Sequence, residues 1–225
     1  MFRSELTRFA DRSEAGRLLA DRVKALRLPD PIVYALPRGG VPVAVEVAAA
    51  LGAPLDLVLV RKIGAPGQPE LAVGAVVDGT PPELVLNAEI AAATGASDTF
   101  IAGARTRELA EIERRRVRYL AGRPPMDPAG HAVVLVDDGI ATGASARAAL
   151  HALRRRGATR LVLAVPVAPP ETIALLRAEA DDIVCLVEAK IFFGIGGFYR
   201  DFHQLTDEEV IAAIAAGERP PTPRR

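Results

Sequence analysis

Apolar residues along the chain fall into two alternating patterns. Short unbroken runs of Val, Leu and Ile are separated by longer stretches in which they recur every three or four positions. The unbroken runs PIVYALP (31–37), LDLVLV (55–60), HAVVLVDD (131–138), RLVLAVPVA (160–168) and DDIVCLV (181–187) read as buried strands. Between them, Leu18, Leu19, Val23 and Leu26 share a helical face behind Ser13, the N-cap candidate. VPVAVEVAAALG reads as a helix closing on Gly52. Asn87 caps a short helix, and Ser97 opens a longer one reaching about Leu120, with Ile101, Leu109, Ile112, Tyr119 and Leu120 on one face. Arg105 and Arg116 fall on that same face, and snorkelling past a thin apolar stripe is the simpler reading of both. Glu111 and Arg115, at i,i+4, belong to a solvated face. Further helices run from about Gly143 to Arg156, from Pro170, and behind the capping box Thr206–Glu209. LAVGAVVDG and PPELVLN are short extended segments of a β-excursion, and GAPGQPE (64–70) reads as a loop. Strands alternating with helices, each strand continuously aliphatic, predict an α/β domain with a parallel sheet covered on both faces.

Composition narrows this picture only a little. A formal charge of zero argues against a dedicated nucleic-acid binder. No stretch approaches the ~20 apolar residues needed to cross a bilayer, and the first residues are charged at once, so a cytoplasmic protein is expected. The single Cys185 lies in an apolar run and reads as a core thiol, which permits no disulfide within the chain. Aromatics make up 4% of the residues and there is no Trp, so their clustering in KIFFGIGGFYRDFH (190–203) is worth locating. GERPPTPRR at the C-terminus has the composition of a disordered tail.

Ligands of parallel α/β sheets sit beyond the carboxyl ends of the strands. Three such ends carry chemistry here: Arg38-Gly39-Gly40, Arg61-Lys62, and Asp137-Asp138 with the loop that follows. Adjacent carboxylates disfavour joint ionisation unless a cation or hydroxyl donors compensate them. The loop GIATGAS is built of small and hydroxyl residues and leads into a helix N-terminus, which favours an anion, with Thr142 and Ser145 as further donors. Phosphate on the loop with a diol or metal at the carboxylates points to a sugar phosphate. No Lys-Ser/Thr pair follows the glycines, so the segment is not a Walker P-loop.

The stretch VVLVDDGIATGAS (133–145) resembles the phosphoribosyl-pyrophosphate (PRPP) binding motif of the type I phosphoribosyltransferases. That resemblance implies Asp137 and Asp138 on the ribose hydroxyls, and Ala141, Thr142, Gly143, Ala144 and Ser145 on the 5-phosphate, with Gly139 and Ile140 completing the loop. Gly139 stands where the family more often has an aliphatic residue, which is expected to loosen the loop. LPRGGVPVA resembles the family's pyrophosphate loop, matched at Arg38, Gly39 and Gly40. VRKIGAPGQPE resembles the segment whose basic residues, here Arg61 and Lys62, face the leaving group beneath a mobile lid. A plain surface loop fits GAPGQPE equally.

The fold implied is a Rossmann-like type I phosphoribosyltransferase core over about residues 30–187. A β-excursion serves as lid, and a hood is formed by about 188–215 plus the N-terminal helix. The whole is a single domain over 1–215, with 216–225 as a tail. The activity implied is displacement of pyrophosphate from PRPP by a small planar nitrogenous acceptor, with Mg²⁺ as cofactor held by Asp137 and Asp138 indirectly, through PRPP and water. Ala141 occupies the position where 6-oxopurine enzymes keep a catalytic Asp, and LVLAVPVAPP lacks their base-reading Lys; both count against a hypoxanthine or guanine enzyme. Glu70 is a candidate acid or base, or else a solvated loop carboxylate. Phe193, Phe198 and Tyr199 are candidates to stack on the acceptor, or else part of an aromatic minicore. A homodimer is expected from the resemblance. The alternative function is a non-catalytic PRPP-binding sensor, which would keep the ribose-phosphate site but need less leaving-group machinery.

Overall fold

The structure, a computed structural model, describes residues 8–217. Five strands form a parallel sheet: β1 (Pro31–Ala35), β2 (Leu55–Leu57), β6 (Ala132–Val136), β7 (Arg160–Ala168) and β8 (Asp182–Glu188), in the spatial order β2-β1-β6-β7-β8. Three more, β3 (Val60–Ala65), β4 (Gln68–Val77) and β5 (Glu83–Leu86), form a separate antiparallel sheet, the β-excursion. The helices are α1 (Arg12–Lys24), α2 (Gly40–Leu51), α3 (Ala88–Ala93), α4 (Asp98–Leu120), α5 (Ala144–Arg155), α6 (Pro170–Leu176) and α7 (Asp207–Gly217), with a 3₁₀ turn at Ile195–Phe198.

The unbroken aliphatic runs follow from burial on both sheet faces. In β6, Val134 and Val136 pack with α1 and α2 in one core, while Val133 and Leu135 pack with α5 and α6 in the other. The same two-residue alternation holds in β7, where Val162 and Ala164 face the first core and Leu161, Leu163 and Val165 the second. The capping box at the last helix is reciprocal: Glu209 N–H donates to Thr206 Oγ1 at 3.2 Å, and Thr206 N–H donates to Glu209 Oε2 at 2.8 Å. Among the described residues no helix is long and apolar enough to cross a membrane. Cys185 is half-buried on β8, and burial pushes its thiol up to about 11. Helix α7 carries Ala216 and Gly217, and the remainder of the expected C-terminal tail lies outside the described residues.

Several elements differ from the sequence reading. Helix α1 is capped not by Ser13 but by Asp11, whose carboxylate accepts from Glu14 N–H at 2.7 Å. The run LDLVLV is two strands: β2 stays in the parallel sheet, and β3 begins the excursion at Val60. GAPGQPE is not a loop. Gly64 and Ala65 end β3, Pro66-Gly67 turn with Gly67 at φ +72°, and β4 starts at Gln68, so the segment expected as a loop or lid is a β-hairpin.

Arg116 accounts for the break in LDLVLV. It does not snorkel. Its Nη2 donates to both Asp56 carboxylate oxygens at 3.0 and 2.9 Å, and its Nη1 donates to Asp78 Oδ2 at 2.7 Å. All three side chains are buried. Asp78 also accepts from Leu59 N–H at 2.9 Å, and Asp56 accepts from the N–H groups of Leu57 and Met126 at 2.8 and 2.7 Å. The triad thereby joins β2, the end of β4 and α4. Arg105, by contrast, is exposed.

Candidate functional site

Strands β1 and β6 are parallel neighbours with Ala35 opposite Val136, so the segments leaving them emerge side by side. Leu36 N–H still donates to Val136 carbonyl at 2.9 Å. A Cβ on Gly39 would stand 2.0 Å from Asp138 Oδ2, and one on Gly40 would stand 2.7 Å from Val136 carbonyl oxygen and 2.9 Å from Asp137 Cα. Glycine is therefore required at both positions by close approach of the two loops. The Pro37–Arg38 peptide is cis, and α2 begins immediately behind it. Arg38 extends toward α7, with Nη1 3.8 Å from Asp207 Oδ1. Gly39→Ala should therefore displace the Asp138 side chain.

The two carboxylates occupy different environments. Asp138 is buried and accepts from Arg12 Nε at 2.8 Å. Arg12 also donates through Nη1 to His203 carbonyl at 3.1 Å, and its guanidinium lies 4.0 Å from the centroid of the Phe202 ring. Tyr199 hydroxyl donates to Asp138 carbonyl oxygen at 2.6 Å. Asp137 accepts from Asp138 N–H at 2.9 Å. Burial, then the Asp138 charge, hold the Asp137 carboxyl well above the usual range. Burial also raises Asp138, with Arg12 opposing it. Arg12 gave no signal in the sequence, because it lies in a helix first turn far from the motif that it serves.

The loop beyond is well supported. A Cβ on Gly139 would fall 2.7 Å from Ile195 Cγ2 and 3.0 Å from Val167 Cγ1, so close packing leaves room only for glycine at this position. The hood side chain Ile195 occupies the space. Ile140 is buried, and its N–H donates to Val167 carbonyl at 2.9 Å. Thr172 Oγ1 donates to Ala141 carbonyl at 2.7 Å. Gly143, at φ +77°, caps α5 without a side-chain hydrogen bond, and the first turn of α5 carries no acidic residue. Ala141, Thr142 and Ala144 are exposed and Ser145 is half-buried. The uncapped N–H groups at this turn suit an oxyanion.

The excursion separates two residues that the sequence had paired. Successive strand residues point to opposite faces. Arg61 turns to α4, where its Nε meets Glu108 Oε2 at 2.8 Å. Lys62 turns the other way and lines a cleft with Ala144 and Ser145. The structure thus sets Lys62 in one cleft with the first residues of α5 and holds Arg61 away on α4. Glu70 is exposed on β4.

The hood is an aromatic cluster tied to the N-terminal segment. Rings pair as Phe9–Tyr199, Phe192–Phe198 and Tyr199–Phe202, with centroids 5.4, 5.7 and 5.1 Å apart. Phe9 N–H donates to Phe198 carbonyl at 2.9 Å, and Arg200 N–H to Phe9 carbonyl at 2.8 Å. Phe198 and Tyr199 are each 3% exposed and present no open ring face, whereas Phe193 is 99% exposed. A cleft of about 280 Å³ lies between Arg12, Arg38, Gly39 and Asp138 on one side and Phe202–Leu205 on the other.

This geometry agrees with the match of residues 9–203 to the phosphoribosyl transferase domain. The chain belongs to the phosphoribosyl transferase family. The fold of this phosphoribosyl transferase domain is close to the crystal structure of TT1426 from Thermus thermophilus: 46% identity, 93% of this chain and 98% of that chain covered, TM-score 0.81. It is 44% identical over 211 residues to a Mycobacterium tuberculosis H37Rv protein named "Putative phosphoribosyl transferase Rv0571c", covering 94% of this chain and 47% of the relative. The chain therefore spans about half the length of the curated mycobacterial relative that it matches. A shorter stretch of 65 residues, 29% of this chain and 31% of the relative, is 43% identical to the uracil phosphoribosyltransferase of Brevibacillus brevis. Among the described residues no cluster of three or more His, Cys, Asp or Glu side chains is arranged to hold a metal. The donor set that phosphoribosyl transferase chemistry would use, Asp137 with Asp138, fits an ion that keeps its waters and draws other ligands from a diphosphate.

Proposed function

We propose that the chain transfers the 5-phosphoribosyl group from PRPP to a small planar nitrogenous acceptor, releasing pyrophosphate, with Mg²⁺ as cofactor. The carrying observation is the convergence at the adjacent ends of β1 and β6. There the Gly39-Gly40 cradle lies against the Asp137–Asp138 pair, and the chain runs from that pair through a short loop into the open first turn of α5.

In this reading the loop amides of Ala141–Ser145 and the hydroxyls of Thr142 and Ser145 hold the 5-phosphate, and Asp137 and Asp138 receive ribose hydroxyls. Hydroxyl donation is the compensation that adjacent carboxylates require, and the Arg12 guanidinium opposes the rise that burial imposes on Asp138. Arg38 and the Gly39 amide orient the diphosphate, Gly40, whose N–H donates to Leu36 carbonyl, permits the close approach of the two loops, and Lys62 reaches in from the hairpin. Bound Mg²⁺ would neutralise charge developing on the diphosphate, with Asp137 and Asp138 in contact through its waters. Positioning and charge stabilisation supply most of the rate in such a site. Ala141 offers no proton acceptor to the incoming base. Phe193, fully exposed on the hood loop whose Ile195 packs on Gly139, is the aromatic ring free to stack on the acceptor.

A PRPP sensor is the second reading. It is favoured by the engagement of Arg61 with Glu108, which leaves the leaving-group side short of one cation. Pyrophosphate release from PRPP and Mg²⁺, measured with a panel including uracil, adenine, orotate and small amines, separates the two. Release with at least one acceptor supports the enzyme. Tight PRPP binding with no release from any acceptor supports the sensor.

A further inference from the structure

A second cleft, of about 190 Å³, is lined by the excursion sheet, the start of α3 and the first turns of α5. Its lining contains neither of the paired carboxylates, no pyrophosphate-loop residue and no hood residue, so it is distinct from the cleft between Asp138 and the hood. Two features define it. The walls are short or branched aliphatic side chains, chiefly Ala72, Ala75, Val85 and Ala148, which leave a slot between sheet and helix. Its lining also holds two cations, Lys62 from β3 and Arg147 from α5, and neither forms an ion pair among the described residues. Every carboxylate paired with an arginine near this region, such as Glu108 and Glu83, belongs to another partner, Arg61 and Arg155 respectively.

A cleft walled mainly by aliphatic side chains, with two cations that form no ion pair among the described residues in its lining, is complementary to a planar ring carrying one anionic group. We propose that this cleft is an effector site for such a ligand, a six-membered aromatic or heteroaromatic ring bearing a carboxylate or phosphate, and that its occupancy opposes PRPP binding. The site itself stands on the cleft alone. Its coupling to PRPP rests on the phosphoribosyltransferase reading, through two shared features. Ser145 belongs both to the cleft and to the phosphate loop, and Lys62 cannot serve two anions at once. A second anion beside the 5-phosphate adds repulsion of the same sign. The coupling is reciprocal, so PRPP should weaken the effector by the factor that the effector weakens PRPP.

The test uses benzoate, phenyl phosphate and uncharged benzamide as probes, followed by amide chemical-shift titration of the full chain. Benzoate or phenyl phosphate should give saturable shifts at Ala72, Ala75, Val85 and Ala148, and whichever binds tighter identifies the anion. Benzamide should bind about tenfold more weakly, the equivalent of one charge-assisted hydrogen bond. Arg147→Gln should weaken the anionic probes by a similar factor without altering benzamide. Ala72→Leu should fill the slot and abolish all three. Saturating anion should then raise the dissociation constant for PRPP in the wild type and not in Ala72→Leu. Anion affinity unchanged in both variants, or inorganic phosphate alone binding as well as phenyl phosphate, would overturn the site. Probe binding with no effect on PRPP would overturn the coupling, whereas a chain that binds the probes and never binds PRPP refutes the assigned function and leaves the cleft intact.

Discussion

Arg116→Met should lower folding stability by about 3–5 kcal/mol, the cost of breaking a buried ion pair by removing one partner. Methionine approximates the length of the side chain, so lost packing contributes little. The penalty comes from Asp56 and Asp78, both buried and left without their shared cation. Burial already raises Asp78 to about 6 even with Arg116 beside it. A carboxyl whose folded pKa lies above its unfolded value contributes stability at low pH, and that contribution is lost as pH rises through the interval between the two. For Asp78 in the wild type that interval runs from the ordinary Asp value to about 6. Removing Arg116 removes a lowering influence, so the interval extends upward in the variant. Denaturant unfolding should therefore show a larger deficit for Arg116→Met at pH 8 than at pH 5. The triple variant Arg116→Met, Asp56→Asn, Asp78→Asn should recover much of the loss. Equal deficits at both pH values would show that the triad is not the source of the penalty.

The second large effect divides the Asp137–Asp138 pair. Both single Asn variants should lose PRPP affinity by about a hundredfold or more, corresponding to about 3 kcal/mol for hydrogen bonds to a charged acceptor. Their stabilities should move in opposite directions. Asp137 is held above its ordinary pKa by burial and by its neighbour, and Asn removes that unfavourable charge, so Asp137→Asn should raise the unfolding midpoint at neutral pH. Asp138 is the buried partner of Arg12, and Asn leaves that guanidinium uncompensated, so Asp138→Asn should lower it. Thermal unfolding of the two variants side by side checks this. A shift of the same sign in both would contradict the division of roles.

What the sequence revealed, and what it hid, follows from the range of the interactions. The parallel strands were legible because burial on two faces leaves a continuous aliphatic run, and the strand–loop–helix passage at 132–155 because its aliphatic run, small residues and helix start are contiguous. The C-terminal cap was legible for the same reason: Thr206 and Glu209 are three residues apart. Long-range pairings were not. The Arg12–Asp138 bridge spans 126 positions and Arg116–Asp56 spans 60, and neither leaves a periodic trace. Arg116 looked like a snorkelling side chain because an apolar face gives no hint of two carboxylates waiting opposite. Arg61 and Lys62 looked equivalent because adjacency in sequence hides the two-faced geometry of a strand, which sends one to Glu108 and the other to the cleft with the first residues of α5. The hood aromatics could be read as platform or minicore. The structure places Phe198 and Tyr199 in a cluster with Phe9 and leaves Phe193 outside it.

The most direct measurement of the central claim is an isothermal titration of PRPP with Mg²⁺ into the wild-type chain and into Asp137→Asn/Asp138→Asn, with circular dichroism verifying that the variant is folded. Saturable binding by the wild type and none by the folded double variant is the expected result. Unchanged PRPP affinity in the double variant would contradict the assignment of this site.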